Sequence, residues 1–302
     1  MKKYYTISPI FNEGGIGSGF FSNYRIVLEK LIQFENQKNN GQHEDTVPYI
    51  TWANTTFVDG FDPIIDYGNI VGGNMPINDE LNPFDYWFDQ EIPYQLNVSP
   101  ENIIKSPLQR NNFIDHREHY FNNAPFLNVQ QSIDKKYITP KQYILDKVND
   151  IYEKEFKNEI VLGIMARGSE FNFWHNPEYG YVTIDNYLNN IENILNKHPE
   201  ITKLFIVSDE TEYVEKISNK FPNSYFIPDV FRRTDETDEY LQRVPCWMNV
   251  SKKRENHCRL LGEEAIMQTK LLAKSNYLFG RLSGLICGAV LWNENIKEVF
   301  KI

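Results

Sequence analysis

The chain has 302 residues and a formal net charge of −10, long enough for two domains sharing a cleft and too acidic for nucleic acid as a partner, since nothing offsets phosphate repulsion. No apolar run approaches a transmembrane length, and Met1-Lys2-Lys3 leads straight into a predicted strand, so no signal peptide is expected. Three cysteines (Cys246, Cys258, Cys287) form an odd set without metal spacing, which predicts reduced thiols and a cytoplasmic protein.

Tyr4 to Ser8 reads as a strand, and Asn12 to Gly19 as a glycine-rich turn. Phe20 to Phe34 then repeats apolar residues at helical spacing through Phe21, Tyr24, Val27, Leu28 and Leu31. Glycines at such a turn let backbone N–H groups approach an anion at a helix amino terminus, so Gly15, Gly17 and Ser18 are candidate ligands of a phosphate. A tight turn without a ligand is the plainer alternative. Tyr49 to Trp52 predicts a second strand, and Asn69 to Pro125 reads mostly as loop and short helix. Thr139 and Pro140 have the chemistry of an N-cap and a first helical position, opening a helix over Lys141 to Phe156. We therefore expect an irregular domain over 1–138 and a regular α/β domain over 139–302.

In the second half the pattern becomes strand, helix, strand, helix, which implies a doubly wound parallel sheet. Ile160 to Ala166 is an apolar run ending on Arg167 and Gly168. Lys203 to Val207 breaks into Ser208-Asp209-Glu210 ahead of a helix over Thr211 to Phe221. Glu263 to Lys274 reads as an amphipathic helix burying Ala265, Ile266, Leu272 and Ala273. Asn276 to Gly280 is a further strand, opening through Arg281-Leu282-Ser283-Gly284 into a helix to Trp292. In open α/β sheets ligands sit at the carboxyl edge of the strands. Arg167, Ser208, Asp209, Arg281 and Ser283 would then line one crevice suited to a nucleoside diphosphate. A lone arginine there also fits a plain salt bridge to a neighbouring carboxylate. The charged stretches Asp229 to Glu236 and Ser251 to Arg254 read as a solvated loop or as a flap over the cleft.

These motifs, in this order, resemble the fucosyltransferase superfamily (α1,2-, α1,6- and protein O-fucosyltransferases). Gly14 to Phe21 is similar to its amino-terminal glycine turn, and Met165-Ala166-Arg167-Gly168 falls at its His-x-Arg motif. Ile184 to Leu188 is similar to the following helix, Ile206 to Glu210 to the apolar-Thr-Asp-Asp strand end, and Met267 to Gly284 to the last donor motif. Asn82 to Phe88 matches an aromatic segment of the amino-terminal half. The resemblance implies a GT-B-like α/β fold, with two Rossmann-like domains facing a cleft and the amino-terminal one irregular. It also implies an inverting, metal-independent glycosyltransferase that moves a sugar, fucose from GDP-fucose above all, to a glycan hydroxyl. No cofactor is implied beyond that co-substrate.

Arg167 would hold the donor pyrophosphate, with Ser283 and Gly284 at the next phosphate contact. Glu170, Glu178 and Asp209 are the candidate general bases, and ion-pair stabilisation without a base stays open. The chain departs from the family at the base-reading aspartate, where Gln268 stands. Glu264, one helical turn earlier, shares its face and supplies a carboxylate. A different nucleotide-sugar donor and a non-catalytic carbohydrate- or nucleotide-binding relative are the alternative readings.

Overall fold

The computed structural model describes residues 3–7, 20–43, 45–52, 82–90, 103–105, 117–167, 182–232, 255–293 and 295–302. The chain divides into two units: Met1–Ile144 with Arg254–Glu263, and Leu145–Lys253 with Glu264–Ile302. No helix among the described residues is long and apolar enough to cross a membrane.

The first unit is built on a parallel three-stranded sheet. Strand β1 (Lys3–Ile7) is central, flanked by β2 (Thr46–Ile50) and β4 (Ile103–Lys105). Parallel neighbours require long crossovers, and helix α1 (Phe20–Asn39) lies within the first of them. Its buried face includes Phe20, Phe21, Tyr24, Val27, Leu28, Leu31 and Phe34, the periodic set in the sequence. Between β2 and β4 come a single-turn helix α2 (Phe84–Trp87) and the short strand β3 (Phe88–Asp89). Asn82, almost fully buried, ties this segment to β2. Its carbonyl accepts the Trp52 and Phe84 N–H groups at 2.8 and 3.2 Å, and its amide donates to the Ile50 carbonyl at 2.8 Å. Helices α3 (His119–Asn122) and α4 (Ala124–Tyr137) follow, α4 capped by the Asn123 side chain. The α4 helix packs on α1, where Tyr24 donates to Asp134.

Thr139 and Pro140 do not begin a helix. They form strand β5, antiparallel to β3 with Phe88 opposite Pro140, and the next helix, α5 (Gln142–Glu155), starts two residues later. Proline lacks an N–H but is tolerated at a sheet edge, and Lys141 continues the pairing by donating its N–H to the Trp87 carbonyl at 2.7 Å.

The second unit carries a five-stranded, wholly parallel sheet in the order β10-β9-β6-β7-β8. Its strands are β6 (Val161–Ala166), β7 (Lys203–Ser208), β8 (Ser224–Tyr225), β9 (Tyr277–Gly280) and β10 (Glu298–Lys301). Every residue of β6 and β9 is buried, as a strand covered on both faces demands. Helices α6 (Ile184–Lys197) and α7 (Thr211–Lys220) cover one face, where Tyr187, Ile191, Tyr213, Val214 and Ile217 pack with Leu162, Ile164, Ile206 and Phe279. Helix α8 (His257–Ala273) precedes β9, and α9 (Gly284–Trp292) follows it. Ile266, Leu272 and Ala273 are buried as expected, whereas Ala265 is only half-buried. From β6 the chain winds through β7 to β8 on one side, then returns to place β9 and β10 on the other. The direction of winding therefore reverses between β6 and β9.

Candidate functional site

The reversal point is where open α/β sheets leave a crevice at their carboxyl edge, and Arg167, Asp209 and Arg281 directly follow β6, β7 and β9 at that edge. Strand β6 ends when its apolar run is exhausted, so Arg167 is the first residue past the sheet. Its Nη1 lies 3.3 Å from Oδ2 of Asp209, which directly follows β7. The Arg167 side chain keeps 24% of its surface exposed, and Asp209 keeps 7%. Such a guanidinium is oriented from below yet open on one side.

A third group fixes the strand end itself. The Tyr187 hydroxyl accepts the main-chain N–H of Arg167 at 3.0 Å. Tyr187 reaches this point because Thr183 starts α6 with a reciprocal cap: Thr183 Oγ1 accepts the Asn186 N–H at 3.3 Å, and Asn186 Oδ1 accepts the Thr183 N–H at 2.8 Å. The ring is fully buried, edge-on to Tyr213 and Phe279. Burial pushes its phenol up to about 12, Asp209 adds to the rise, and Arg167 and Arg281 oppose it. The hydroxyl is therefore neutral at all physiological pH values. Tyr187→Phe removes only this one contact. We expect about 1 kcal/mol of stability to be lost. A thermal melt beside the wild type checks this; an unchanged melting temperature would mean that the contact carries no stability.

Arg281 follows β9 directly. It is 5% exposed, and its basicity is lowered first by burial and then by the positive charge of Arg167, with Tyr187 opposing. Ser283 caps α9, its Oγ accepting the Ile286 N–H at 3.4 Å, and Gly284 is the first helical residue. Ser208 is buried, and its hydroxyl accepts the Glu210 N–H at 3.2 Å, so it shapes the turn after β7.

Glu264 and Gln268 share one face of α8, with Gln268 Nε2 donating to the Glu264 carbonyl at 3.2 Å. The Glu264 carboxylate accepts the Phe231 N–H at 3.4 Å and lies in the field of Arg232. Arg232 in turn donates to the carbonyls of Ile227, Pro228 and Val230 at 2.7, 3.4 and 3.3 Å and lies over the Phe226 ring. The segment after β8 is thus folded against α8 at Glu264. Gln268 is 7% exposed, and its Oε1 is buried with no hydrogen-bond partner.

The structure thus joins Arg167 and Asp209, places Arg281 in the electrostatic field of Arg167, and puts Glu264 one turn from Gln268. Gly15, Gly17, Ser18, Glu170 and Glu178 lie outside the described residues. Tyr187 was not singled out as a site residue by the sequence, whereas Phe231 and Arg232 fall in the stretch read there as a solvated loop or a flap over the cleft. Among the described residues, no group of three His, Cys, Asp or Glu side chains is arranged to hold a metal ion.

Fold and site together define a parallel α/β protein with an ion-paired arginine at its topological switch point. No protein-family model matches the chain, and neither does any curated protein sequence. Solved structures do share its fold. A structure of NodZ α-1,6-fucosyltransferase soaked with GDP-fucose is similar over 97% of this chain and 93% of its own, at 13% identity and a TM-score of 0.53. A second structure, fucosyltransferase NodZ from Bradyrhizobium, is similar over 97% and 94% of the two chains, at 12% identity and a TM-score of 0.52. The mixed α/β fold resembled in the sequence is thus the fold these fucosyltransferases have.

Proposed function

We propose that the protein is a glycosyltransferase that moves fucose from GDP-fucose to a hydroxyl of a glycan, with inversion at the anomeric carbon. The observation that carries this reading is the Arg167–Asp209 pair, held by Tyr187 at the switch point of a sheet shared with fucosyltransferase structures. The acceptor oxygen bonds to the anomeric carbon as the bond from that carbon to the β-phosphate oxygen breaks. The bonding electrons leave with GDP, and the acceptor proton passes to a carboxylate, for which Glu170 and Glu178 are our candidates. Negative charge grows on the departing diphosphate, and Arg167 is aimed at it before the reaction begins. We assign Asp209 to orienting Arg167 rather than to base catalysis, because its carboxylate already faces the guanidinium. Fixed cations suffice for this chemistry, so we infer that no divalent metal is needed and that EDTA leaves the rate within about twofold, against the tenfold that 1.36 kcal/mol represents.

Release of GDP from GDP-fucose, with and without a glycan acceptor, tests the function. Absence of any release while GDP still binds would favour a non-catalytic relative.

For the base, Glu264 offers guanine a carboxylate that can accept from two adjacent N–H donors. Glu264→Gln should weaken GDP by about 1.5–3 kcal/mol, the range for a charge-assisted hydrogen bond. One observation favours a second donor reading: the buried Gln268 Oε1 has no hydrogen-bond partner, and as an amide oxygen it can accept the one ring N–H that the base of UDP or dTDP offers. In that case Gln268→Ala is the damaging change and Glu264→Gln is nearly silent. Calorimetric titration of both variants with GDP and UDP decides between them.

A further inference from the structure

We infer that Arg232 is a positioning residue for the base-reading carboxylate: it staples the turn after β8, and the main chain of that turn sets the orientation of Glu264. This rests on the assignment of Glu264 to the nucleotide base made above. Strand β8 ends at Tyr225, and the chain turns at Pro228 and Asp229. The Arg232 guanidinium reaches back across this turn. Its Nη2 donates to the Ile227 carbonyl at 2.7 Å, and its Nη1 is shared between the Val230 and Pro228 carbonyls at 3.3 and 3.4 Å. Its Cζ lies 5.3 Å from the centre of the Phe226 ring. A planar fork with five donors can hold several carbonyls of one turn at once, which an ammonium or an amide does less well. The Ile227 side chain is buried and anchors the same turn at its other end.

The stapled turn presents a main-chain N–H to α8. Phe231, the residue before Arg232, donates to Oε2 of Glu264 at 3.4 Å. Burial lowers the basicity of Arg232 and the charge of Glu264 opposes this, which agrees with their closeness. Reading guanine requires the plane of a carboxylate to line up with two adjacent N–H donors. A glutamate free about its side-chain torsions loses that freedom when the base arrives. One tethered to a fixed main-chain donor has lost it already on folding, so binding is favoured. The tether does not use up the acceptor, because each carboxylate oxygen has two lone-pair sites and Oε2 can serve Phe231 and the base together. Arg232 directs its donors to the turn, so it acts on the base through Glu264 and not by contact.

Calorimetric titration of the full chain with GDP tests this as a double-mutant cycle over the wild type, Arg232→Gln, Glu264→Gln and the variant carrying both changes. Arg232→Gln should weaken GDP about fivefold or more, within the coupling expected of groups in one network. In the Glu264→Gln background the same change should cost less than about twofold, because the group it positions is gone. Arg232→Lys keeps the charge without the fork and should show the same pattern with a smaller first loss, which keeps the cycle readable if glutamine loosens the fold. A loss of equal size in both backgrounds would make Arg232 a structural residue and overturn the positioning role, leaving the transferase reading intact. So would an unchanged GDP affinity in Arg232→Gln when Glu264→Gln weakens GDP. If Glu264→Gln alone leaves GDP unchanged, the assignment of Glu264 to guanine falls and the positioning role falls with it. If the wild type binds no GDP, the donor reading falls as well.

Discussion

Arg167→Ala should abolish transfer while the protein keeps its fold. The guanidinium, only a quarter exposed, faces a carboxylate that is buried, so the alanine variant leaves Asp209 without this cation and the expected cost in stability is about 3 kcal/mol. The catalytic cost is a separate one. A preorganised charge aimed at a developing anion in a site poor in water is worth about 3–4 kcal/mol, or roughly 10²–10³ in rate. Arg167→Lys should recover little of this, because an ammonium is a point charge and cannot form the bidentate contact of a planar fork. It also cannot keep the same geometry with Asp209 while facing the ligand. Steady-state transfer rates set beside melting curves separate the two costs. An alanine variant within threefold of wild-type activity would take Arg167 out of the mechanism.

The second large effect is on folding. Gly262→Ala adds a methyl group that would overlap the Cε2, Cζ2 and Nε1 atoms of the Trp87 indole. Trp87 cannot step aside. It is fully buried, its Nε1 donates to the Arg259 carbonyl at 2.8 Å, and it meets Phe20 and Trp52 edge-on at 5.2 and 5.9 Å. Overpacking a rigid site costs about 1–3 kcal/mol and occasionally more; here the upper end is expected, since moving the indole also breaks its hydrogen bond. A melting temperature lowered by roughly 6–12 °C follows from the usual scaling for a unit of this size. Combining the change with Trp87→Leu should recover part of the loss, because the overlap is gone. A Gly262→Ala protein as stable as the wild type would mean that this contact is not tight in solution.

The same glycine explains one limit of reading the sequence. Gly262 looks like a break ahead of the amphipathic run from Glu263, yet α8 already begins at His257. Helical propensity disfavours glycine by about 1 kcal/mol, and only the indole lying against the helix makes its missing side chain necessary. The sheet of the second unit was legible because strands covered on both faces must be continuously apolar, so β6, β7 and β9 end where a charge appears. Thr139-Pro140 misled because the pair has the chemistry of a helix start; a partner strand about fifty residues earlier decides otherwise. Ile103–Lys105 is too short to show a period, and only pairing with β1 makes it a strand. The arginines could be picked out because a charge at the end of an apolar run stands out. Tyr187 could not, because a tyrosine on the apolar face of a helix is indistinguishable from core until its hydroxyl is seen to accept the Arg167 N–H.

The make-up of the first unit also has a consequence during synthesis. That unit includes Arg254–Glu263, the stretch that supplies the carbonyl bound by Trp87 and the glycine against which the indole rests. Its other residues end at Ile144, so the nascent amino-terminal sheet and its aromatic cluster emerge without their final cover. At about 5–20 residues per second, the ribosome needs on the order of 6–24 s to deliver the missing segment, and meanwhile translates strands β6, β7 and β8 of the second unit. Trp87 and its neighbours spend that interval as exposed apolar surface on a tethered chain. The amino-terminal unit is therefore begun first yet left without its last stretch until much of the second unit has already been translated.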